Sequence, residues 1–163
     1  MSLIFVSGVS GTGKSTLMRE LRKRGEEAID MDTDCIRVSK VTGNVISYEE
    51  AKRDGYDWIY PKDALQKLKA EAATKDIFIL GITDNPQVIQ DAADKFVWMT
   101  IPLDVLVQRL DSRQKEYGKS ERERKLILDQ YNTLSNSLKP ETFTLDATKP
   151  VETIADDLLQ HVH

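Results

Sequence analysis

Leu3-Ile4-Phe5-Val6-Ser7-Gly8-Val9-Ser10-Gly11-Thr12-Gly13-Lys14-Ser15-Thr16-Leu17 is the stretch whose reading decides the fold. Residues 2–7 are apolar on both faces, the pattern of a strand buried within a parallel sheet. Gly8, Gly11 and Gly13 interrupt it, and the period then changes. Leu17 and Leu21 fall one turn apart, which predicts a helix over 15–24 with Gly25 as its stop. Strand, glycine-rich turn and amphipathic helix in this order make the first half of a βα unit.

Working outward, short apolar runs alternate with helical patterns, the signature of an α/β domain with a parallel sheet. Strands are expected over 27–32, whose alternating pattern suits a position nearer an edge, and over 76–80, 95–101 and 141–145. Helices are expected over 61–74, with Leu65 and Leu68 facing in, and over 85–93, with Pro86 in the first turn. A helix opens after Pro102 with Leu103, Leu106, Val107 and Leu110 on one stripe. Another opens at Ser120, which forms a capping box with Glu123, and carries Ile127, Tyr131, Leu134 and Leu138. A last one follows Pro150, with Val151, Ile154, Ala155 and Leu158 inward. Residues 34–40 read as a further helix start, with Asp34 a candidate cap, and 43–55 carry no assignment. The total is about five strands and seven helices.

At 163 residues the chain is expected to form one domain. With 40% apolar and 31% charged residues it has the composition of a soluble globular protein. The net charge of -4 disfavours bulk electrostatic attraction to nucleic acid and with it a nucleic-acid 5′-hydroxyl acceptor. The single cysteine, Cys35, allows no intrachain disulfide, which points to a cytoplasmic location. No segment is long enough to span a bilayer.

Gly8 to Ser15 matches G-x-x-x-x-G-K-[ST], with Ser10, Gly11, Thr12 and Gly13 inside it and Thr16 following. Glycines let the backbone curl so that successive N–H groups face one anion. The helix beyond adds its positive end. Lys14 is placed to reach β- and γ-phosphates, and the Ser15 hydroxyl to ligate Mg2+. The implied ligand is a nucleoside triphosphate, ATP as MgATP.

Four further segments carry a family resemblance. They are Asp30-Met31-Asp32-Thr33-Asp34-Cys35-Ile36-Arg37, Arg109-Leu110-Asp111-Ser112-Arg113, the run 113–124, and Leu145-Asp146-Ala147-Thr148-Lys149-Pro150. With the phosphate loop they make the chain resemble the small P-loop kinases of the nucleoside monophosphate kinase and shikimate kinase group. The resemblance implies a three-layer fold with a five-stranded parallel sheet in the order 2-3-1-4-5. It also implies a short helical lid over roughly 113–124, with Gly118 as a hinge, and an acceptor-side region over roughly 33–75. By the same resemblance Arg109 stacks on adenine and Arg113 touches phosphates, with Arg122 or Arg124 closing on them. Asp32 or Asp34 serves Mg2+ or the acceptor hydroxyl, and Asp34 with Arg37 matches the spacing that grips an acceptor phosphate. The 145–150 segment resembles the loop that borders adenine.

Two departures bear on the acceptor. Gly81-Ile82-Thr83-Asp84-Asn85 stands where adenylate kinases have an AMP-binding arginine and shikimate kinases have consecutive glycines, and Asp84 would repel a phosphate. Tyr56, Trp58 and Tyr60 add an aromatic cluster suited either to core packing or to stacking on a base. The implied activity is transfer of the γ-phosphate of MgATP to a nucleoside, nucleotide or hydroxylated metabolite. The alternative is an ATP-responsive regulatory module without a small-molecule acceptor.

Overall fold

The computed structural model describes residues 1–112 and 120–163, and within them all side chains except those of Asp54 and Ser137. In chain order the first half forms β1 (Leu3–Ser7), α1 (Lys14–Lys23), β2 (Glu27–Asp30), β3 (Ile36–Ser39), α2 (Tyr48–Asp54), β4 (Tyr56–Ile59) and α3 (Lys62–Ala72). The second half forms β5 (Ile77–Leu80), α4 (Pro86–Ala92), β6 (Lys95–Thr100), α5 (Leu103–Asp111), α6 (Glu121–Ser137), β7 (Phe143–Asp146) and α7 (Val151–Val162). Five strands make a parallel sheet in the order β2-β5-β1-β6-β7. Counted along the chain without the two strands outside it, that is the expected 2-3-1-4-5, with β2 at an edge.

The sheet is buried on both sides because β1 is apolar at every position, and alternation deals its residues to two cores. Ile4 and Val6 pack with Leu17, Leu21, Ile154 and Leu158 on the α1 and α7 side. Leu3 and Phe5 pack with Leu65, Leu68 and Ile89 on the α3 and α4 side. Each such side chain, fully buried, contributes about 1.5–3 kcal/mol. The central strand therefore holds the phosphate loop on the most deeply buried element of the fold.

Two expectations are corrected. Residues 34–40 do not start a helix. A 3-10 turn at Met31–Thr33, capped by the Asp30 carboxylate accepting from Asp32 N and closed by Asp34 N donating to Met31 O, leads into β3, so Asp34 ends this turn rather than starting a helix. β3 pairs antiparallel with β4 in a separate two-stranded sheet, with Arg37 opposite Trp58. This partner lies about twenty residues on, and such non-local pairing overrides local propensity. The unassigned 43–55 segment contains α2, which opens with a full capping box: the Ser47 hydroxyl accepts from Glu50 N, and the Glu50 carboxylate accepts from Ser47 N. On α5, Leu106 and Leu110 are buried as expected, but Leu103 is exposed, since it opens the helix at the sheet's rim.

Candidate functional site

The phosphate loop springs from the carboxyl end of β1. Gly11 (φ 102°) and Gly13 (φ 98°) lie in the left-handed region that excludes side chains, and Gly13 leads directly into α1. Gly8 has no room for a Cβ, which would meet Thr12 Oγ1 at 3.0 Å and Met99 at 3.1 Å. Thr12 is buried, and its amide and hydroxyl both donate to Val9 O (3.3 and 2.9 Å). Lys14 opens α1 and donates to the carbonyls of Gly8 and Val9, the second at 2.9 Å. The lysine thus folds back over the loop. Ser10 is half-buried, and Ser15 and Thr16 are exposed on the first turn of α1.

Arg109, on α5, ties this loop to the loop after β7. Its guanidinium donates to Gly11 O (3.4 Å) and Thr12 O (3.3 Å) on one side and to Ala147 O (2.7 Å) on the other. Asp146, at the end of β7, accepts from the Thr148 hydroxyl (2.6 Å) and amide (2.9 Å), and these bonds hold its carboxyl below the usual range. Arg113 and Gly118 lie outside the described residues, as does the expected lid over 113–119. Of the two arginines expected to follow, Arg122 is exposed and Arg124 is paired with Asp111. That pair joins the end of α5 to the start of α6.

The residues expected on the acceptor side gather two strands away, where β2 and β5 end on the same carboxyl edge of the sheet. Asp32 accepts from Trp58 Nε1 (3.2 Å) and Asp34 from the Tyr60 hydroxyl (3.3 Å). Cys35 is half-buried beside them. Its thiol is pushed up to about 12, first by burial and then by the carboxylates of Asp32, Asp34, Asp30 and Asp84, so it stays protonated and is no nucleophile. Burial and Asp34 likewise push the Tyr60 phenol up. Arg37, expected to face an acceptor phosphate, sits among three rings, its Cζ 4.8 Å from the centroid of Trp58, 5.1 Å from Tyr48 and 5.7 Å from Tyr56. Its Nε is buried without a hydrogen-bond partner.

The aromatic cluster divides: Tyr60 is fully buried core, whereas Tyr56 and Trp58 are half-exposed. Thr83-Asp84-Asn85 fastens the hairpin to the end of β5. The Thr83 hydroxyl donates to Trp58 O (2.7 Å), and Asp84 accepts from Trp58 N (2.7 Å) while its amide donates to Trp58 O (2.8 Å). Asn85 accepts from Tyr60 N (2.9 Å) and donates to Tyr60 O (3.1 Å). These side chains stand in for a neighbouring strand. Sequence reasoning saw the charge of Asp84 but not this use, which no local pattern announces. The role of Ala147, a backbone carbonyl, is equally invisible in side-chain identity.

Among the described residues no group of three or more His, Cys, Asp or Glu could hold a metal by itself. Ser15 and Asp32, the residues expected to serve Mg2+, are both exposed oxygen donors, of which Mg2+ carried by phosphates takes one or two. A cleft of about 440 Å3 beside β7 and α7 touches Asp146 and Lys149 but none of the phosphate loop. No helix of the described residues is long and apolar enough to cross a membrane.

A family model described as an AAA domain matches residues 4–129, a span that runs from β1 past the loop and α5 into α6. The chain belongs to this AAA-domain family. It is also similar to a curated cytidylate kinase from Haloarcula marismortui, 32% identical over 114 residues. That match takes in 70% of this AAA-domain chain and 59% of the relative, so the chain spans less than two thirds of that protein's length. Solved structures show the same fold. A sugar kinase from a Janibacter species aligns with TM-score 0.59 and 18% identity over 98% of this chain and 93% of its own. A shikimate kinase from Bacteroides thetaiotaomicron aligns with TM-score 0.58 and 20% identity over 98% and 97%. A deoxyadenosine kinase from M. mycoides with bound dATP aligns with TM-score 0.54 and 17% identity over 98% of each chain. The architecture is that of the small P-loop kinases.

Proposed function

We propose that the chain is an ATP-dependent phosphotransferase that moves the γ-phosphate of MgATP to a hydroxyl of a small acceptor. The observation that carries this is the Gly8–Ser15 loop, with both left-handed glycines in place and Lys14 folded over its carbonyls. That lysine has only to swing from Gly8 O and Val9 O to meet β- and γ-oxygens, while the loop amides and the start of α1 supply the rest of the positive field. The printed functions of the relatives, all kinases of small molecules, support the same activity.

On this account the side chains of Ser10 and Thr16 flank the phosphates, and Thr12 shapes the loop from inside. Ser15 and Asp32 are the residues that would hold Mg2+, which would supply positive charge to neutralise the phosphates. Arg109 lines the adenine side opposite the 146–150 loop. Arg113, in the lid region of roughly 113–124, would meet transferring oxygens on closure. The acceptor-side region, roughly 33–75, presents Asp34 to an acceptor hydroxyl as hydrogen-bond acceptor or base. Arg37 would meet an anionic group of the acceptor, since the three rings hold it in place and no carboxylate among the described residues pairs with it. A cytoplasmic setting fits these substrates.

ADP release from MgATP, measured with a panel of nucleosides, nucleoside monophosphates and sugar acids, tests the proposal. A large rise with one acceptor is expected. Tight ATP binding with slow hydrolysis that no acceptor changes would instead favour an ATP-responsive regulatory module. That second possibility is motivated by Asp84, which stands where adenylate kinases have an AMP-binding arginine and is bonded to Trp58 N.

A further inference from the structure

α6 turns Ile127, Tyr131, Leu134 and Leu138 to the core. Ser135 lies one turn beyond Tyr131 on the same side of the helix, where a large apolar residue would continue the packing. Instead it is small and exposed. Between α6 and the end of β6 lies a cavity of about 170 Å3, lined by Val9, Trp98, Ile101, Tyr131 and Leu138, with Ser135 at its rim. The neighbouring polar groups are committed elsewhere: the Tyr131 hydroxyl donates to Ile101 O (3.0 Å) and the Thr100 hydroxyl to Leu145 O (3.1 Å). The cavity's volume is close to the roughly 150 Å3 that takes up a benzene-sized molecule, but it is partly open, with Thr100 and Ser135 among its walls, so a guest displaces water from it. A ring of the right size makes dispersion contacts with the apolar walls.

We propose that this cavity is a binding site for a small, uncharged, single-ring aromatic molecule whose hydroxyl or amino substituent meets the Ser135 hydroxyl. The site lies directly behind the phosphate loop. The Val9 side chain is buried against the cavity, and its carbonyl accepts from Thr12 N, Thr12 Oγ1 and Lys14 Nζ. A ring seated on Val9 braces the arrangement in which that carbonyl holds Lys14, so occupancy opposes the lysine's transfer to phosphates. By linkage, nucleotide weakens the ring's binding by the same factor. This coupling rests on the nucleotide reading above; the cavity itself does not.

Phenol and toluene are suitable probes. The chain has two tryptophans, so Trp58→Phe leaves Trp98 as the only reporter. Saturable change in Trp98 emission at millimolar phenol is expected, together with a higher Tm of the unsubstituted chain. Both effects disappear in Ser135→Leu, whose own Tm rises as the leucine fills the space, and in the smaller Ser135→Val they weaken. No saturable change in Trp98, or an undiminished one in a folded Ser135→Leu, overturns the site. MgATP affinity is expected to fall severalfold in saturating phenol, and an unchanged affinity overturns the coupling. Absence of MgATP binding without phenol would overturn the nucleotide reading and leave the cavity result standing.

Discussion

Gly81 closes β5 against Met31. A Cβ built there would lie 2.4 Å from Met31 Cβ, a distance no rotamer change relieves because both atoms hang directly on the backbone. Gly81→Ala is therefore expected to cost about 1–3 kcal/mol through a shift of the β2 and β5 ends. The midpoint of urea unfolding measures it, and a midpoint equal to that of the unsubstituted chain would contradict the packing described. At this scale the sequence told most where the backbone itself was the reason for the residue. Gly11 and Gly13 were legible because a phosphate loop needs their conformations. Gly81 was legible only as a strand end, since its reason is a neighbour fifty residues away. Arg37 was singled out by its spacing from Asp34, but its three-ring surroundings depend on a hairpin that the spacing did not reveal.

Elements that carry their own period, such as β1, α1, α3, β6 and α7, were readable within a few residues. The β3–β4 hairpin was not, although Ile36 and Val38 alternate, because Asp34 ahead of them resembles a helix cap. What fastens the hairpin to the end of β5 is the Thr83-Asp84-Asn85 clasp, made mostly by side chains. Asn85→Ala strands both Tyr60 N and Tyr60 O, at an expected cost of about 1–3 kcal/mol. Hydrogen exchange at the Tyr60 and Trp58 amides should speed up by one to two orders of magnitude while β1 amides keep their protection. Equal acceleration throughout would show that the hairpin and the sheet unfold together. The cap of α2 shows a different lesson: Ser47-x-x-Glu50 has the same signature that located α6 at Ser120, and only the lack of an apolar run after it concealed the helix.

Over the whole molecule, charge networks join the ends of the chain to the site. Arg24 at the end of α1 binds Glu20 (2.8 Å), Asp156 (2.6 Å) and Glu152 O (3.0 Å), clamping α1 to α7 beneath the phosphate loop. Arg24 holds the Glu20 carboxyl below its ordinary 4.5. The folded chain therefore keeps this stabilisation above about pH 4.5 and loses it as pH falls through the lowered value. On the alkaline side Cys35 and Tyr60 act in the opposite sense. The unfolded thiol ionises near 9.0 while the folded one holds its proton to about 12, so stability declines as pH rises above about 9. Urea midpoints across pH should show a plateau bounded by these two declines, and a stability that keeps rising above pH 9 would contradict the burial of Cys35 and Tyr60. The parallel sheet was legible from alternation of strands and helices, its order only through the family resemblance, and the phosphate loop from its own glycines and lysine. The surroundings of Asp34 and Arg37 were not, because they rest on contacts between segments about twenty residues apart. The most direct test of the central claim is the rate of acceptor-dependent ADP release by Lys14→Ala, with folding verified by its unfolding midpoint. A loss of about 100-fold or more is expected; a folded variant that turns over like the unsubstituted chain would contradict the account.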